Sequence, residues 1–233
     1  MIDTVILVIL AIALLAAYYR GTLYAALSFG LTVLSFFLAL ALCSPLAGVV
    51  KKQGNIYNMM LYYCEGHEYI AKSSVEMIHA SVDSVSDETL AILLDRAQMP
   101  VPFADKVQKN VRTRAYRDKD IYSLGDYFNE TVVDVAMNLL LLLLLFAVIR
   151  MVLGFCLKLI DYSRSGLSVL REFDPLVSSG IGLLHGIMLV FILFMLVPVA
   201  LAVLPSLEKY LDDSLFGGFF YRANLLLPLV PSC

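Results

Sequence analysis

Charge is what this sequence has least of. Only 16% of its 233 residues are Asp, Glu, Lys or Arg, against about 25% in an ordinary soluble domain. So few ions cannot cover a water-facing surface while 60% of the chain is hydrophobic, which excludes a soluble enzyme domain and a disordered regulator. Positive charge is not in excess either. The formal net charge is −3, leaving no basic footprint for DNA or RNA. Histidine occurs three times and cysteine four. Cys43, Cys64, Cys156 and Cys233 are scattered, without a C-x-x-C pair or zinc spacing, and read as separate free thiols. Cys233 is the last residue, whereas a prenylation box needs its Cys four from the end. The run Cys64-Glu65-Gly66-His67-Glu68 holds metal-ligand residue types. Adjacent residues on a helix point different ways, however, and His79 twelve positions on is its only company, so the run reads as a solvated helix start. A nucleophile needs a base within reach, and paired acids or a histidine with an acid are missing from the apolar runs; the acids near them, Asp3, Asp134 and Asp174 among them, stand at ends where they reach water. No Gly-rich phosphate cradle follows a strand. No catalytic residue, cofactor or metal is expected.

What is abundant is apolar length. A membrane helix needs about 20 mostly apolar residues, and the mean hydropathy of +0.82 reflects several such runs. Ile2–Tyr19 carries only Asp3, at its end, and Thr22–Cys43 carries no charge. Val132–Ile149 has Asp134 near its start and seven consecutive leucines, Leu139 to Leu145. Val177–Leu204 has His185 as its only titratable group. This last run exceeds a straight crossing, so tilt or a bend at Pro198 is expected. The fold class is therefore an all-α membrane protein with four transmembrane helices. Ile2–Tyr19 lacks a basic n-region and is too long for a signal-peptide core, so it reads as an uncleaved span. Arg20-Gly21 is short enough to force a tight antiparallel hairpin.

Orientation rests on Lys and Arg in short loops. Arg20, Arg150, Lys158, Arg164 and Arg171 fall on one face, and Lys51, Lys52, Lys209 and Arg222 on the other. That count puts both termini and the segment between spans two and three outside. The chain accordingly divides into an N-terminal transmembrane hairpin (1–43), a polar helical insertion (44–130), and a C-terminal transmembrane pair with a short tail (131–233).

The insertion holds ten of the seventeen basic and twelve of the twenty acidic side chains. Val75, Ile78, Val82 and Val85 have helical spacing. Leu90, Leu93, Leu94 and Ala97 form a second stripe, with Ser86 as its cap and Pro100 and Pro102 closing it. Phe103, Val107, Val111 and Ala115 form a third, opposite Lys106, Lys109, Arg112, Arg114 and Arg117. That basic face suits either anionic headgroups or a solvated surface offset by Asp105, Asp118 and Asp120.

Within the spans, small residues recur at i+4: Ala13 and Ala17, Ala26 and Gly30, and Ser178, Gly182 and Gly186. Such lines let helix backbones approach in lipid, where hydrophobicity does not drive association. They pack the chain's own helices or dock a second copy or another membrane protein. Asn138 and His185 are the deepest polar groups and hence functional candidates, although isolated groups of this kind usually bond a neighbouring backbone.

The two ends of the chain resemble the colicin V production protein family. Met1-Ile2-Asp3-Thr4-Val5-Ile6, followed by Arg20-Gly21, is similar to that family's early Asp before an apolar span ending in an Arg-Gly turn. Phe173-Asp174 leading to Gly182-Leu183-Leu184-His185-Gly186 is similar to its acid or amide followed by glycines at four-residue steps. Here Ser178 replaces one glycine, and His185 stands where Arg is usual. Ser214-Leu215 echoes a Ser-x-Leu region after the last helix. The resemblance implies a multi-pass protein of the bacterial cytoplasmic membrane, associated with bacteriocin production and envelope integrity, with no catalytic activity or cofactor. Two functions follow as expectations: a non-enzymatic membrane factor, or a small transporter or channel subunit forming a homo-oligomeric pore. The bilayer is the one certain partner, and no small-molecule ligand is indicated.

Overall fold

The computed structural model describes residues 2–52, 54–63, 69, 75–159, 174–204 and 206–231. The readings of Cys64 to Glu68, Arg164, Arg171, Phe173 and Cys233 lie outside the described residues. The helices in chain order are α1 (Ile2–Lys52), α2 (Asn55–Tyr63), α3 (Asp87–Ala97), α4 (Phe103–Thr113), α5 (Leu124–Lys158), α6 (Asp174–Phe194), α7 (Val197–Val203), α8 (Leu207–Asp212) and α9 (Leu215–Arg222). No strand occurs among the described residues beyond an isolated bridge between Ser81 and Ser123. Three stretches are long and apolar enough to cross a membrane: Ile2–Lys52, Leu124–Lys158 and Asp174–Val203. The protein is an all-helical membrane protein.

The first of these stretches is not one rod. Gly21 has φ 81° and ψ 170°, outside the helical region. The neighbours along α6 show what this does. Asp174 meets Thr22 and His185 meets Thr32, so α6 runs parallel to the second half of α1. Gly182 meets Ala17 and Ala13, and Gly186 meets Ala13 and Leu10, so α6 runs against the first half. The two halves of α1 therefore run in opposite directions, folded at the Arg20-Gly21 step. The second half continues past Cys43 to Lys52 with Pro45 inside it. At the other end of the polar segment, α5 begins at Leu124, before the first residue of its apolar run. The bend expected near Pro198 lies at Met195–Leu196, between α6 and α7, where Met195 N–H and Leu196 N–H bond carbonyls only three residues back. Proline lacks the N–H that would bond residue 194 and its ring crowds that carbonyl.

The chain forms two compact units. One comprises Met1–Leu42, Leu142–Val197 and Ser206–Leu226. Its buried residues include Ile6, Phe36, Ala39, Val190 and Met195, on faces opposite exposed Val5, Leu15, Leu34 and Phe37. Such an apolar outer surface suits lipid rather than water. The other unit comprises Cys43–Leu141, Pro198–Pro205 and Leu227–Cys233, with Leu90, Phe103, Val107, Tyr116, Phe128 and Val133 in its core. In α3 the expected stripe Leu90, Leu93, Leu94 and Ala97 is buried, and Ser86 accepts from Thr89 N–H as its cap. In α4, Phe103, Val107 and Val111 are buried, but the helix ends at Thr113 because Arg114 adopts a left-handed conformation.

Four readings need correction. Val75 to Val85 is not one helix but two short 3-10 turns, and Val75 is exposed. Ser81 accepts from Asp83 N–H, and Ser84 Oγ donates to Ser81 O, local bonds that compete with a helix. Ala26 and Gly30 form no packing line with the described residues. Both are exposed, and a Cβ at Gly30 would meet none of them within 4 Å. Arg150 is not in a loop but within α5, because the helix runs on to Lys158. Its removal takes away the one-residue margin in the orientation count. Asp134 does not reach water: it is fully buried, because α2 and the chain around Tyr116 cover this part of α5. The charges opposite the α4 stripe are offset as expected, though by other acids: Arg112 pairs with Asp87 at 3.1 Å and Arg114 with Asp83 at 2.5 Å. Lys106 instead donates to the carbonyls of Pro228 and Val230.

Candidate functional site

Most of the residues singled out at the two ends of the chain meet in the first unit. After the break at Gly21 the second half of α1 begins with free N–H groups, as any helix start does. Asp174 Oδ1 accepts from Thr22 N–H at 3.2 Å, and Thr22 Oγ1 donates to Asp174 O at 3.2 Å. Asp174, at the first turn of α6, thus caps a helix 152 residues away in sequence. A Cβ on Gly21 would sit 3.0 Å from Asp174 Oδ2, so both its φ and this approach call for glycine. Gly21→Ala is expected to lower stability by about 1–3 kcal/mol through backbone strain, and Asp174→Ala by about 1 kcal/mol through loss of the cap. Asp174→Asn retains an acceptor and should cost less. Thermal melting of the purified protein in detergent checks the ranking.

Asp3 works in the same way on another helix. It accepts from Ser214 Oγ at 2.7 Å, Phe216 N–H at 2.8 Å and Leu215 N–H at 3.2 Å. Ser214 Oγ in turn accepts from Gly217 N–H at 2.9 Å, so the two side chains together meet the first turn of α9. Along α6, Ser178, Gly182 and Gly186 are buried. A Cβ on Gly182 would lie 2.5 Å from Ala17 Cβ and 2.8 Å from Ala13 O, and one on Gly186 3.0 Å from Ala13 Cβ. The small-residue lines of α1 and α6 are therefore one seam. Arg20 is exposed, with its guanidinium 4.6 Å from the Tyr24 ring centroid and donating to the Tyr24 hydroxyl.

His185 is not isolated. Its Nε2 lies 2.9 Å from Thr32 Oγ1, and Phe29 stands edge-on to its ring. Arg150 joins the same group: Nε donates to Thr32 Oγ1 and Nη2 to Ser28 Oγ, both at 2.9 Å. Thr32 has one proton, and its hydroxyl is 2.9 Å from Ser28 O. With that proton on the carbonyl bond, Thr32 accepts from Arg150 and from the N–H of His185 in its Nε2–H tautomer. The sequence signals available were Ser28 and Thr32, four apart on a mostly apolar helix.

The second unit holds a denser ionic group that the sequence reading missed. Asp134 receives Lys51 Nζ at 2.8 Å, the Tyr116 hydroxyl at 2.9 Å and the Tyr57 hydroxyl at 3.2 Å. Glu130, one turn earlier on α5, accepts from Tyr57 OH and lies 3.2 Å from Lys119 Nζ. Asn110 Nδ2 donates to Tyr116 OH at 3.0 Å and Thr131 Oγ1 at 3.1 Å. Burial, then the Asp134 and Glu130 carboxylates, push the Tyr57 hydroxyl far above the ordinary tyrosine range, so it stays protonated and donates. Each carboxylate thus has a lysine beside it, as a buried charge requires. In this unit Asn138 Nδ2 donates to Pro231 O at 2.7 Å, while its buried Oδ1 has no hydrogen-bond partner among the described residues. Among the described residues no group of three or more His, Cys, Asp or Glu is placed to hold a metal.

Residues 2–83 match the family model of the Colicin V production protein. The match is consistent with a member of the colicin V production family, and it contains Asp3, Arg20 and Gly21, which carry the N-terminal resemblance. Asp174, Ser178, Gly182 and Gly186 lie beyond the matched residues. The contacts of Asp174, Gly182 and Gly186 nevertheless join them to the matched segment, at Thr22, Ala17 and Ala13. No curated protein and no solved structure matches the chain.

Proposed function

We propose that the protein is a non-enzymatic factor of the bacterial cytoplasmic membrane that supports bacteriocin production or export and envelope integrity. It crosses the bilayer four times, with the halves of α1 as two crossings. Both termini and residues 44–130 are placed outside, a choice that the loop charges, now equal on the two faces, leave to the labelling test below, and a second copy or other membrane proteins dock on its apolar helices. The observation that carries this reading is the family match over residues 2–83. The reversal at Gly21 supports the four crossings.

Deleting the gene from a bacteriocin-producing host should lower secreted toxin activity and increase leakage of a periplasmic reporter. Complementation with the wild type or His185→Ala should restore both, and Gly182→Leu should not. Unchanged secretion and leakage on deletion would reject the reading. Sidedness has its own test. With Cys43, Cys156 and Cys233 replaced by serine, a membrane-impermeant maleimide should label Cys64 in intact cells. Labelling only after lysis would reverse the orientation.

A second reading, a pore-forming subunit, draws on the polar group of Ser28, Thr32, Arg150 and His185. It requires that Arg150→Met change ion flux in reconstituted vesicles, which the docking factor does not.

A further inference from the structure

Arg150 is the one charge in the stretch of α5 from Val135 to Leu157. Apolar residues continue beyond it, and Met151, Val152 and Phe155 are exposed, so the apolar surface of the helix passes the guanidinium by a full turn. A charge placed there is costly unless it is neutralised. No carboxylate among the described residues neutralises it. Its contacts are neutral oxygens: Ser28 Oγ and Thr32 Oγ1 take one N–H each from Nη2 and Nε. A guanidinium has five such donors, and Nη1 has no partner among the described residues.

The geometry says where these donors are open. Nη1 lies 3.0 Å from where a Cβ on Gly154 would stand. Gly154 is one turn towards the C-terminal end of α5, so the missing side chain leaves the guanidinium edge uncovered on that side. Lys158 follows one further turn on, exposed, at the end of the helix. Residues 150, 154 and 158 share one face. Lys158 is about 12 Å from Arg150 along the axis, within the half-thickness of about 15 Å of a bilayer core. The bend of the Arg150 side chain towards Gly154 brings its charge about one turn, roughly 5 Å, nearer that end. Deeper on the same face of α5, Leu143 is half-buried and Ala147 exposed, both apolar.

We propose that Arg150, uncovered by Gly154 and followed by Lys158, binds a phosphate group. The two hydroxyls of α1 hold the guanidinium in place, which leaves its outer N–H groups for the bidentate pairing that guanidinium makes with phosphate oxygens. A phospholipid headgroup is the source the surroundings favour, because Leu143 and Ala147 continue below the charge on its own face as an apolar surface for acyl chains. A free phosphate offers the same oxygens. The site is independent of any role in toxin export.

The test uses the full-length protein in detergent, delipidated and kept free of phosphate. Native mass spectrometry measures binding of phosphatidylglycerol and of diacylglycerol, which has the same chains without the phosphate. The wild type should bind phosphatidylglycerol at least about tenfold tighter, the worth of one charge-assisted contact. Arg150→Gln should abolish that preference. Gly154→Leu should abolish it too by covering the Nη1 edge while the arginine itself is retained, and a protein that still folds by size exclusion is enough for this reading. That variant therefore decides the matter if Arg150→Gln does not fold. Failure of millimolar inorganic phosphate to displace the lipid assigns the site to a headgroup, and full displacement assigns it to the free anion. Equal binding of the two lipids by the wild type, or a preference retained in both variants, overturns the proposal.

Discussion

Gly182→Leu is expected to be the most damaging single substitution in the first unit. The added Cβ alone would lie 2.5 Å from Ala17 Cβ, 2.8 Å from the Ala13 carbonyl oxygen and 3.3 Å from Leu14 Cα. Two of these three atoms are backbone, so no rotamer change relieves the clash and the helices must separate. Overpacking of this kind costs about 1–3 kcal/mol and occasionally more. Separation here also opens the contacts of Gly186 with Ala13 and Leu10. Gly186→Leu should be milder, since its nearest neighbours, at 3.0 and 3.1 Å, are side-chain atoms. Gly30→Leu should leave the melting temperature unchanged, because none of the described residues lies within 4 Å of that position. Ala17→Gly should rescue Gly182→Leu only in part, since the Ala13 carbonyl remains. Melting in detergent, followed by size exclusion, reads the series. A Gly182→Leu protein as stable as the Gly30→Leu protein would reject the seam.

Asp134→Leu should produce the largest loss in the second unit. It deprives Lys51 of a carboxylate 2.8 Å away and the Tyr116 and Tyr57 hydroxyls of an acceptor. Breaking a buried ion pair costs about 3–5 kcal/mol. The Lys51 side chain is 22% exposed, so water relieves part of the loss and the lower end, about 3 kcal/mol, is expected. Replacing both partners, Lys51→Met with Asp134→Leu, should recover most of it, because no buried ion then lacks its counter-charge. Glu130→Gln should cost far less, about 0–1 kcal/mol, since Lys119 is 44% exposed and its pair is partly screened. Equal losses for Asp134→Leu and Glu130→Gln would show that the ionic group does not order this unit. Thermal and denaturant unfolding measure both.

These two sites differ in how far the sequence revealed them. The glycine seam was legible because it is periodic: Ser178, Gly182 and Gly186 fall four apart, and so do Ala13 and Ala17, each within one helix. The cap of α3 was legible for the same local reason, Ser86 standing just before the stripe it starts. Which lines pack was not local. Ala26 and Gly30 have the same spacing as Ala13 and Ala17 and face outward. Nothing in a four-residue repeat distinguishes a face turned to a neighbouring helix from one turned away.

Charges were misplaced because a charge near the end of an apolar run reads as marking that end. Asp134 and Arg150 bracket the leucine-rich core of α5, and both read as reaching water. Each is instead met by groups far away in sequence, Asp134 by Tyr57 77 residues earlier and Arg150 by Ser28 122 residues earlier. The sequence by itself determined the membrane class, the helical content, the break at Gly21 and the bend before Pro198. All of these follow from composition and from the backbone chemistry of single residues. Only the tertiary structure decided which small faces pack, which ions are covered and what neutralises them. Those outcomes depend on helix faces brought together from distant parts of the chain, and the free energy of a buried charge is set by those neighbours rather than by the residue itself.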